Sequence, residues 1–289
     1  MKNVMKKVGR TIVAFLPVPA CFLLQLGVML VVEIVLMFPT IMRAISGAVS
    51  YDEMMELTYG LVMENIMTIQ LVAQTAMFAV FGLWYYLAYG RKKRPETAEK
   101  PAGLHIVLLV LMGLILQFGI SSVLTLIELM APKVMENYNE LMETMGLGEM
   151  SLPVMIAVSV MAPLSEEVLC RGVILRLAER VSPRFWVANV IQALAFGILH
   201  GNLVQGIYAF ALGLVIGYIY GKYRNIWLCM LLHGAMNLSS YVITPFYMLF
   251  PEDNPVPVLI VVFVVSAALF VLCFRPFVAR SRGGEGSSC

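Results

Sequence analysis

Three short stretches of this sequence carry residue types and spacings that suit hydrolytic chemistry. They read E-E-V-L-C-R at 166–171, F-G-I-L-H at 196–200 and H-G-A-M-N at 233–237. A carboxylate can take a proton from water, and an imidazole can orient that water or bind a metal. An amide or imidazole N–H can stabilise an oxyanion. Together these groups predict a catalytic site for hydrolysis.

Helical geometry separates the two adjacent acids of the first stretch. Glu167 and Arg171 lie one turn apart on the same helix face, with the acid before the base, so they can neutralise each other. Glu166 is rotated by about 100° from Glu167 and is poorly placed to share Arg171. Pro163 interrupts the hydrogen-bond ladder just upstream and predicts a kink or a restarted helix. We therefore expect Glu167 and Arg171 to act as a supporting pair and Glu166 to act on water.

The elements that must position these groups are membrane-spanning helices. Of the 289 residues, 60% are hydrophobic and only 13% are charged, which predicts an all-α, polytopic membrane protein. The chain reads as a single membrane domain, 1–289, in which the spans between 152 and 250 form the catalytic core. About eight transmembrane helices are expected, at 11–38, 66–89, 104–131, 152–175, 185–200, 203–220, 226–250 and 256–274.

The charge pattern predicts the orientation of these spans. Alternate connections hold 17 of the 20 Lys and Arg residues, so the positive-inside rule puts both termini in the cytoplasm. The opposite connections are acidic, and segment 132–150 reads as an amphipathic helix on the outer surface. The net charge is only +2, and no basic patch with interleaved aromatic residues points to nucleic acid as a partner.

The polar groups lie at similar depths along their spans. With a rise of about 1.5 Å per residue, Glu166 and Asn237 lie about 18 Å from the cytoplasmic boundary, His200 about 22 Å and His233 about 12 Å. All four fall around the middle of a hydrocarbon core of roughly 30 Å, so they can meet in one pocket. The simpler interpretation for any single polar residue in a span is a helix–helix hydrogen bond, which is what we expect of Gln117.

The three stretches also resemble the E-E-x-x-x-R, F-x-x-x-H and H-x-x-x-N motifs of the CPBP (ABI) family of intramembrane endopeptidases. That family includes type II CAAX prenyl proteases and bacteriocin-processing or immunity proteins. The resemblance covers residues 166–237 and implies hydrolysis of a peptide bond in a membrane-associated or lipidated substrate. The roles it implies are Glu166 as the water-activating base, His200 as its partner, His233 and Asn237 as oxyanion ligands, Glu167 and Arg171 as the supporting pair, and Phe196 packed behind His200.

The sequence leaves the cofactor open between Zn²⁺ and none. Glu166, His200 and His233 could supply three zinc ligands with one open position, although no H-E-x-x-H helix is present. The expected partners are the lipid bilayer and a peptide or lipidated protein substrate. The expected location is the bacterial cytoplasmic membrane, as a multi-pass protein whose pocket is reached from the cytoplasm or laterally from lipid.

Two other functions fit the same residues. One is a non-catalytic immunity or scaffold member of the same family, which would keep the pocket without turnover. The other is a proton- or ion-coupled transporter, because intramembrane Glu and His residues can relay protons or bind ions. Transporters of this size often contain inverted repeats, and no repeat is visible in this sequence.

Overall fold

The described chain is built almost entirely from helices. A computed structural model describes residues 2–91, 95, 98–147, 151–247 and 255–279, and no strand occurs in these ranges. In chain order the helices are α1 (Lys2–Phe15), α2 (Pro17–Ile45), α3 (Tyr51–Glu64), α4 (Ile66–Tyr85), α5 (Gly103–Met130), α6 (Pro132–Thr144), α7 (Leu152–Ala178), α8 (Phe185–Leu199), α9 (Leu203–Tyr223), α10 (Ile226–Tyr247) and α11 (Val256–Val278).

Seven helical stretches in the described residues are long and apolar enough to cross a membrane. The first combines α1 and α2, which are separated only at Leu16, where Pro17 follows. The fifth predicted span, 185–200, forms the shorter helix α8 of 15 residues. At about 1.5 Å per residue it is roughly 22 Å long. The predicted all-α, multi-pass membrane protein is confirmed, with seven long helices and one short helix where eight similar spans were expected.

Two helices lie between the spans. α3 was not predicted from the sequence, and it begins after Ser50, whose side chain accepts a hydrogen bond from the backbone N–H of Glu53. The predicted amphipathic segment 132–150 forms α6, but its positions 148–150 lie outside the described residues. The end of the predicted span 226–250 and parts of the two basic segments around 92–97 and 280–289 also lie outside them.

The helices that carry the motifs are the most buried ones. The share of buried residues in the membrane-spanning part of each helix is 50% for α10, 44% for α7 and 39% for α9. It is only 6% for the first membrane stretch and 11% for α11. Helix α8 packs along α9, while α5 packs along both α10 and α11. The motif residues therefore lie inside the bundle, surrounded by helices that present apolar side chains outward.

Helix α7 is irregular on both sides of the Glu-Glu pair. It contains π-helical turns at Ala157–Met161 and Val168–Ile174, with regular α-helix at Ala162–Glu167 between them. Pro163 cannot donate a backbone hydrogen bond, so a regular ladder is not available here. Wide turns of this kind release backbone carbonyls and are frequent at functional sites. The expected interruption near Pro163 therefore takes the form of π turns.

The two ends of the bundle differ in charge. At one end Arg10 donates to the carbonyl of Arg180 (2.7 Å), and Lys222 pairs with Glu99 (3.4 Å). At the other end the acidic helix α6 packs against α5 and the start of α9. We refer below to the basic end, which carries residues 176–184 and 222–224, and the acidic end, which carries α3 and α6.

Candidate active site

Glu167 is the centre of a buried charged cluster. Its Oε1 accepts hydrogen bonds from Arg171 Nη1 (2.9 Å) and from His233 Nδ1 (2.8 Å). The side chains of Glu167 and Arg171 are both fully buried. The expected pair with Arg171 therefore forms, and Glu167 also holds the His233 ring, a contact that the sequence did not indicate.

Glu166 points away from this cluster. Its side chain is 19% exposed, and Oε2 lies 3.9 Å from His233 Nε2, beyond hydrogen-bond distance. A one-residue step along a helix turns a side chain by about 100°, which is why adjacent glutamates reach different surroundings. Glu166 thus faces open space while Glu167 is held by two cationic or hydrogen-bonding partners.

His200 is presented at the end of the short helix α8. Gly201 follows it with φ +71°, a left-handed conformation that ends the helix and that favours glycine. The His200 Nδ1 atom donates to the carbonyl oxygen of Phe196 (2.8 Å). Because a carbonyl only accepts, the proton of the neutral ring lies on Nδ1 and the lone pair on Nε2. That lone pair can accept a hydrogen from water.

Asn237 is fixed by one of the π turns of α7. Its Nδ2 donates to the carbonyl oxygen of Val158 at 2.8 Å. α10 approaches closely here, since a Cβ on Gly234 would lie 2.9 Å from the carbonyl oxygen of Ser159. An amide nitrogen carries two hydrogens, so Asn237 keeps one N–H for another acceptor.

The Phe196 ring links the charged cluster to both histidines. It lies edge to face with His200 at a ring distance of 4.9 Å and with His233 at 5.7 Å. The Arg171 guanidinium carbon lies 4.8 Å from the ring centre, within the range of a cation–π contact. Phe196 therefore packs behind His200, and it also packs against two residues for which no such contact was expected.

The four groups expected to act on the substrate line one cavity. Glu166, His200, His233 and Asn237 all border a space of about 600 Å³. Residues from the acidic end, among them Tyr138 and Met145, also border it. Toward the basic end the chain is tightly packed, with fully buried side chains such as those of Leu169, Ile174, Ile216, Ile219 and Tyr220.

The three candidate zinc ligands do not form a metal site as placed. Within the described ranges, no group of three or more His, Cys, Asp or Glu side chains is close enough to hold a metal ion. Glu166 and His233 approach each other to 3.9 Å, but no third such side chain in those ranges joins them closely enough to complete the three protein ligands of a zinc site. This geometry does not fit Zn²⁺ bound by Glu166, His200 and His233.

Other polar contacts around the site were not foreseen from the sequence. Ser165, directly before Glu166, hydrogen-bonds the side chain of Gln74 on α4. The carbonyl oxygen of Gly213 accepts from both Arg171 Nη2 (3.2 Å) and Gln192 Nε2 (2.8 Å). Apart from Arg171, none of the residues in these bonds belongs to a motif, and the one sequence signal was a polar side chain inside an apolar span.

Comparisons with known proteins match the part of the chain that builds this site. The family model described as "Type II CAAX prenyl endopeptidase Rce1-like" matches residues 148–239, which include all three motifs. This segment is thus similar to the membrane peptidase family that the three motifs resemble. A Bacillus subtilis (strain 168) protein named "Putative membrane peptidase YdiL" is 32% identical over 89 residues. The aligned region covers 30% of this chain and 36% of that relative. No solved structure matches the chain.

Proposed function

We propose that this chain is an intramembrane endopeptidase in which Glu166 activates water to hydrolyse a peptide bond of a membrane-associated substrate. One observation carries the proposal. Glu166 borders a cavity shared with His200, His233 and Asn237, while the adjacent Glu167 is occupied by Arg171 and His233. The match of residues 148–239 to a peptidase family supports the same reaction.

In the proposed reaction Glu166 takes a proton from water as the water oxygen bonds to the substrate carbonyl carbon. The Nε2 lone pair of His200 accepts the other hydrogen of that water and so orients it. The carbonyl oxygen becomes an oxyanion, and the second N–H of Asn237 donates to it. Glu166 then returns its proton to the leaving nitrogen as the C–N bond breaks, which yields a carboxylic acid and an amine.

The expected role of His233 needs revision within this proposal. Its Nδ1 is committed to Glu167, so the neutral ring has no N–H left to offer an oxyanion. It could donate from Nε2 only in the doubly protonated form. We therefore assign His233 a structural role, in which its bond to Glu167 and its contact with Phe196 hold α10 beside the site, with Asn237 as the oxyanion donor.

The substrate would reach Glu166 from the acidic end of the bundle. The cavity is bordered by α6 and by the start of α9, whereas packed apolar side chains fill the side toward the basic end. By the positive-inside rule the basic end faces the cytoplasm. The sequence left access open between the cytoplasm and lateral entry from lipid. The proposed site opens away from the cytoplasm, which differs from the first of these two expectations.

The test compares the wild-type protein with Glu166→Gln, both purified and reconstituted in lipid nanodiscs. A panel of fluorogenic lipidated and unlipidated peptides is incubated with each protein, with and without a chelator. General acid–base catalysis contributes about 10²–10⁴-fold, so cleavage should fall by at least about 100-fold in the variant. Cleavage by the wild type should be insensitive to the chelator. Undiminished cleavage by Glu166→Gln would refute the assignment.

A further inference from the structure

The cavity wall carries carboxamide side chains that the motifs do not account for. They are Gln25, Gln70, Gln74, Gln117 and Gln205, together with Asn237 of the proposed site. Among the described residues that line the cavity, Glu166 is the only acid and there is no Lys or Arg. The wall therefore combines apolar side chains with almost uncharged polar groups, and it draws its amides from α2, α4, α5, α9 and α10.

Helix–helix hydrogen bonding is the ordinary reason for glutamine in a span, and it accounts for two of these residues. Gln70 Nε2 donates to the carbonyl oxygen of Met145 at 3.0 Å. Gln74 hydrogen-bonds Ser165 on α7. These two amides join separate parts of the chain.

The same explanation does not cover the other three glutamines. Gln117 Nε2 bonds Ser121 in its own helix at 3.3 Å, so the expected interhelical bond of Gln117 is not formed. Gln205 accepts from Asn202 in its own capping turn at 3.0 Å. Gln25 has no hydrogen-bond partner within the described part of the chain. Each of these amides therefore keeps donor or acceptor capacity that faces the cavity.

The polar groups recur one helical turn apart along the cavity. Gln70 and Gln74 are four residues apart on α4, as Gln117 and Ser121 are on α5. Each such step is about 6 Å along the helix axis, and the α10 stretch 233–241 covers about 12 Å. An extended peptide rises about 3.3 Å per residue, so about four residues of it match this length.

A substrate main chain has the chemistry that this wall complements. In an α-helix each carbonyl oxygen bonds the N–H four residues later, so the helix must open before water can attack. The released N–H and C=O groups are costly to leave unpaired away from water. A carboxamide offers the same donor and acceptor types as a peptide bond, and can pair with either group.

We propose that this wall binds about four residues of the substrate main chain in extended form. This inference rests on the proposed endopeptidase function and names its substrate class, a neutral, helix-breaking segment of a membrane peptide. Gln25 and Gln117 act as specificity residues, because their amides have no interhelical role. Since amides pair with the main chain, we expect little dependence on side-chain sequence within that segment.

Peptide binding to the Glu166→Gln protein tests the inference without turnover. The probe is a fluorescently labelled Leu/Ala transmembrane peptide with a central Gly-Ser-Gly-Ser segment. The control peptide carries the same label and has an uninterrupted Leu/Ala core. Fluorescence anisotropy in nanodiscs should show the interrupted peptide binding at least about tenfold more tightly. Adding Gln25→Met and Gln117→Met should weaken that binding by about tenfold, which corresponds to one or two neutral hydrogen bonds.

Two controls separate recognition from damage to the fold. Asn139→Leu removes a carboxamide that bonds Glu128 outside the cavity, and it should leave binding unchanged. In a further peptide, two esters replace amides in the Gly-Ser-Gly-Ser segment and remove two main-chain N–H donors. This peptide should bind more weakly to the Glu166→Gln protein in which Gln25 and Gln117 are retained. Equal binding of both Leu/Ala peptides, or full binding by the double Gln variant, would overturn the inference. Both results concern peptide binding alone. The proposed function fails only if the wild type does not cleave peptide or Glu166→Gln cleaves it undiminished, so the two failures are distinguishable.

Discussion

Two adjacent glutamates in this protein have opposite surroundings, and the difference follows from one residue of helix rotation. Glu167 is enclosed with Arg171 and His233, whereas Glu166 borders the cavity. Removing one partner of a buried ion pair leaves the other charge uncompensated. The two positions should therefore differ in what their substitution damages.

Glu167→Gln is expected to lower the free energy of unfolding by about 3–5 kcal/mol, because it leaves the Arg171 guanidinium buried without a countercharge. Glu166→Gln should change it by less than about 1 kcal/mol, since Glu166 makes no buried ion pair with a cation. Thermal unfolding in detergent would compare the two variants. Equal destabilisation by both would contradict the separation of roles.

Phe196 offers a second test at this scale. Phe196→Leu removes the ring that contacts Arg171, His200 and His233. Loss of a buried cation–π contact is worth about 2 kcal/mol, so the unfolding temperature should fall. Turnover of a cleaved peptide should fall as well, because His200 loses the surface against which it packs. Unchanged kinetics and stability would mean that the ring is dispensable.

At the scale of the elements, the site depends on how closely α10 lies against the π turns of α7. The Asn237 side chain reaches the Val158 carbonyl because that turn frees it from the regular ladder. Gly234 makes the approach possible, since a side chain there would collide with the Ser159 carbonyl. The same close helix contact thus sets the geometry of the proposed catalytic site.

Gly234→Ala should separate α10 from α7 and move both His233 and Asn237. Overpacking of this kind costs about 1–3 kcal/mol, and peptide cleavage should fall by at least about tenfold because displaced groups align poorly. Gly82→Ala is the matched control, because a Cβ at that helical glycine meets nothing within 4 Å. If the two alanine variants cleave equally well, close packing at Gly234 is not required.

At the scale of the whole molecule, charge and packing give the bundle two unlike ends. The cavity is bordered by residues of the acidic end, and the side toward the basic end is filled by apolar side chains. A transport path would need to continue through that packed region, whereas a hydrolytic site needs one entrance. The shape therefore favours the protease over the transporter.

Cysteine labelling in intact cells of a bacterial expression host would test the orientation. Leu203→Cys lies at the start of α9, where Leu203 is 78% exposed, and Arg184→Cys lies at the exposed basic end. A membrane-impermeant maleimide should label the first variant and not the second, because only the acidic end faces outward. Labelling of the unaltered chain measures the background that its own cysteines contribute, and this background is subtracted from both variants. The reverse pattern would invert the proposed topology.

The sequence by itself determined the class of fold, the approximate spans and the set of polar residues inside them. These follow from composition and from the cost of placing polar groups in hydrocarbon, which are local properties. The pairing of Glu167 with Arg171 was also accessible, since it depends only on helical spacing. The short length of α8, helix α3 and the form of the irregularity in α7 were not.

Only the tertiary structure decided which groups meet and which atoms remain available. The bond from His233 to Glu167 and the anchoring of Asn237 on Val158 both depend on how helices lie side by side. Such contacts join residues distant in the sequence, and the spacing within one helix carries no information about the rotation of its neighbour. The cavity and its amide wall exist only once the helices are packed together.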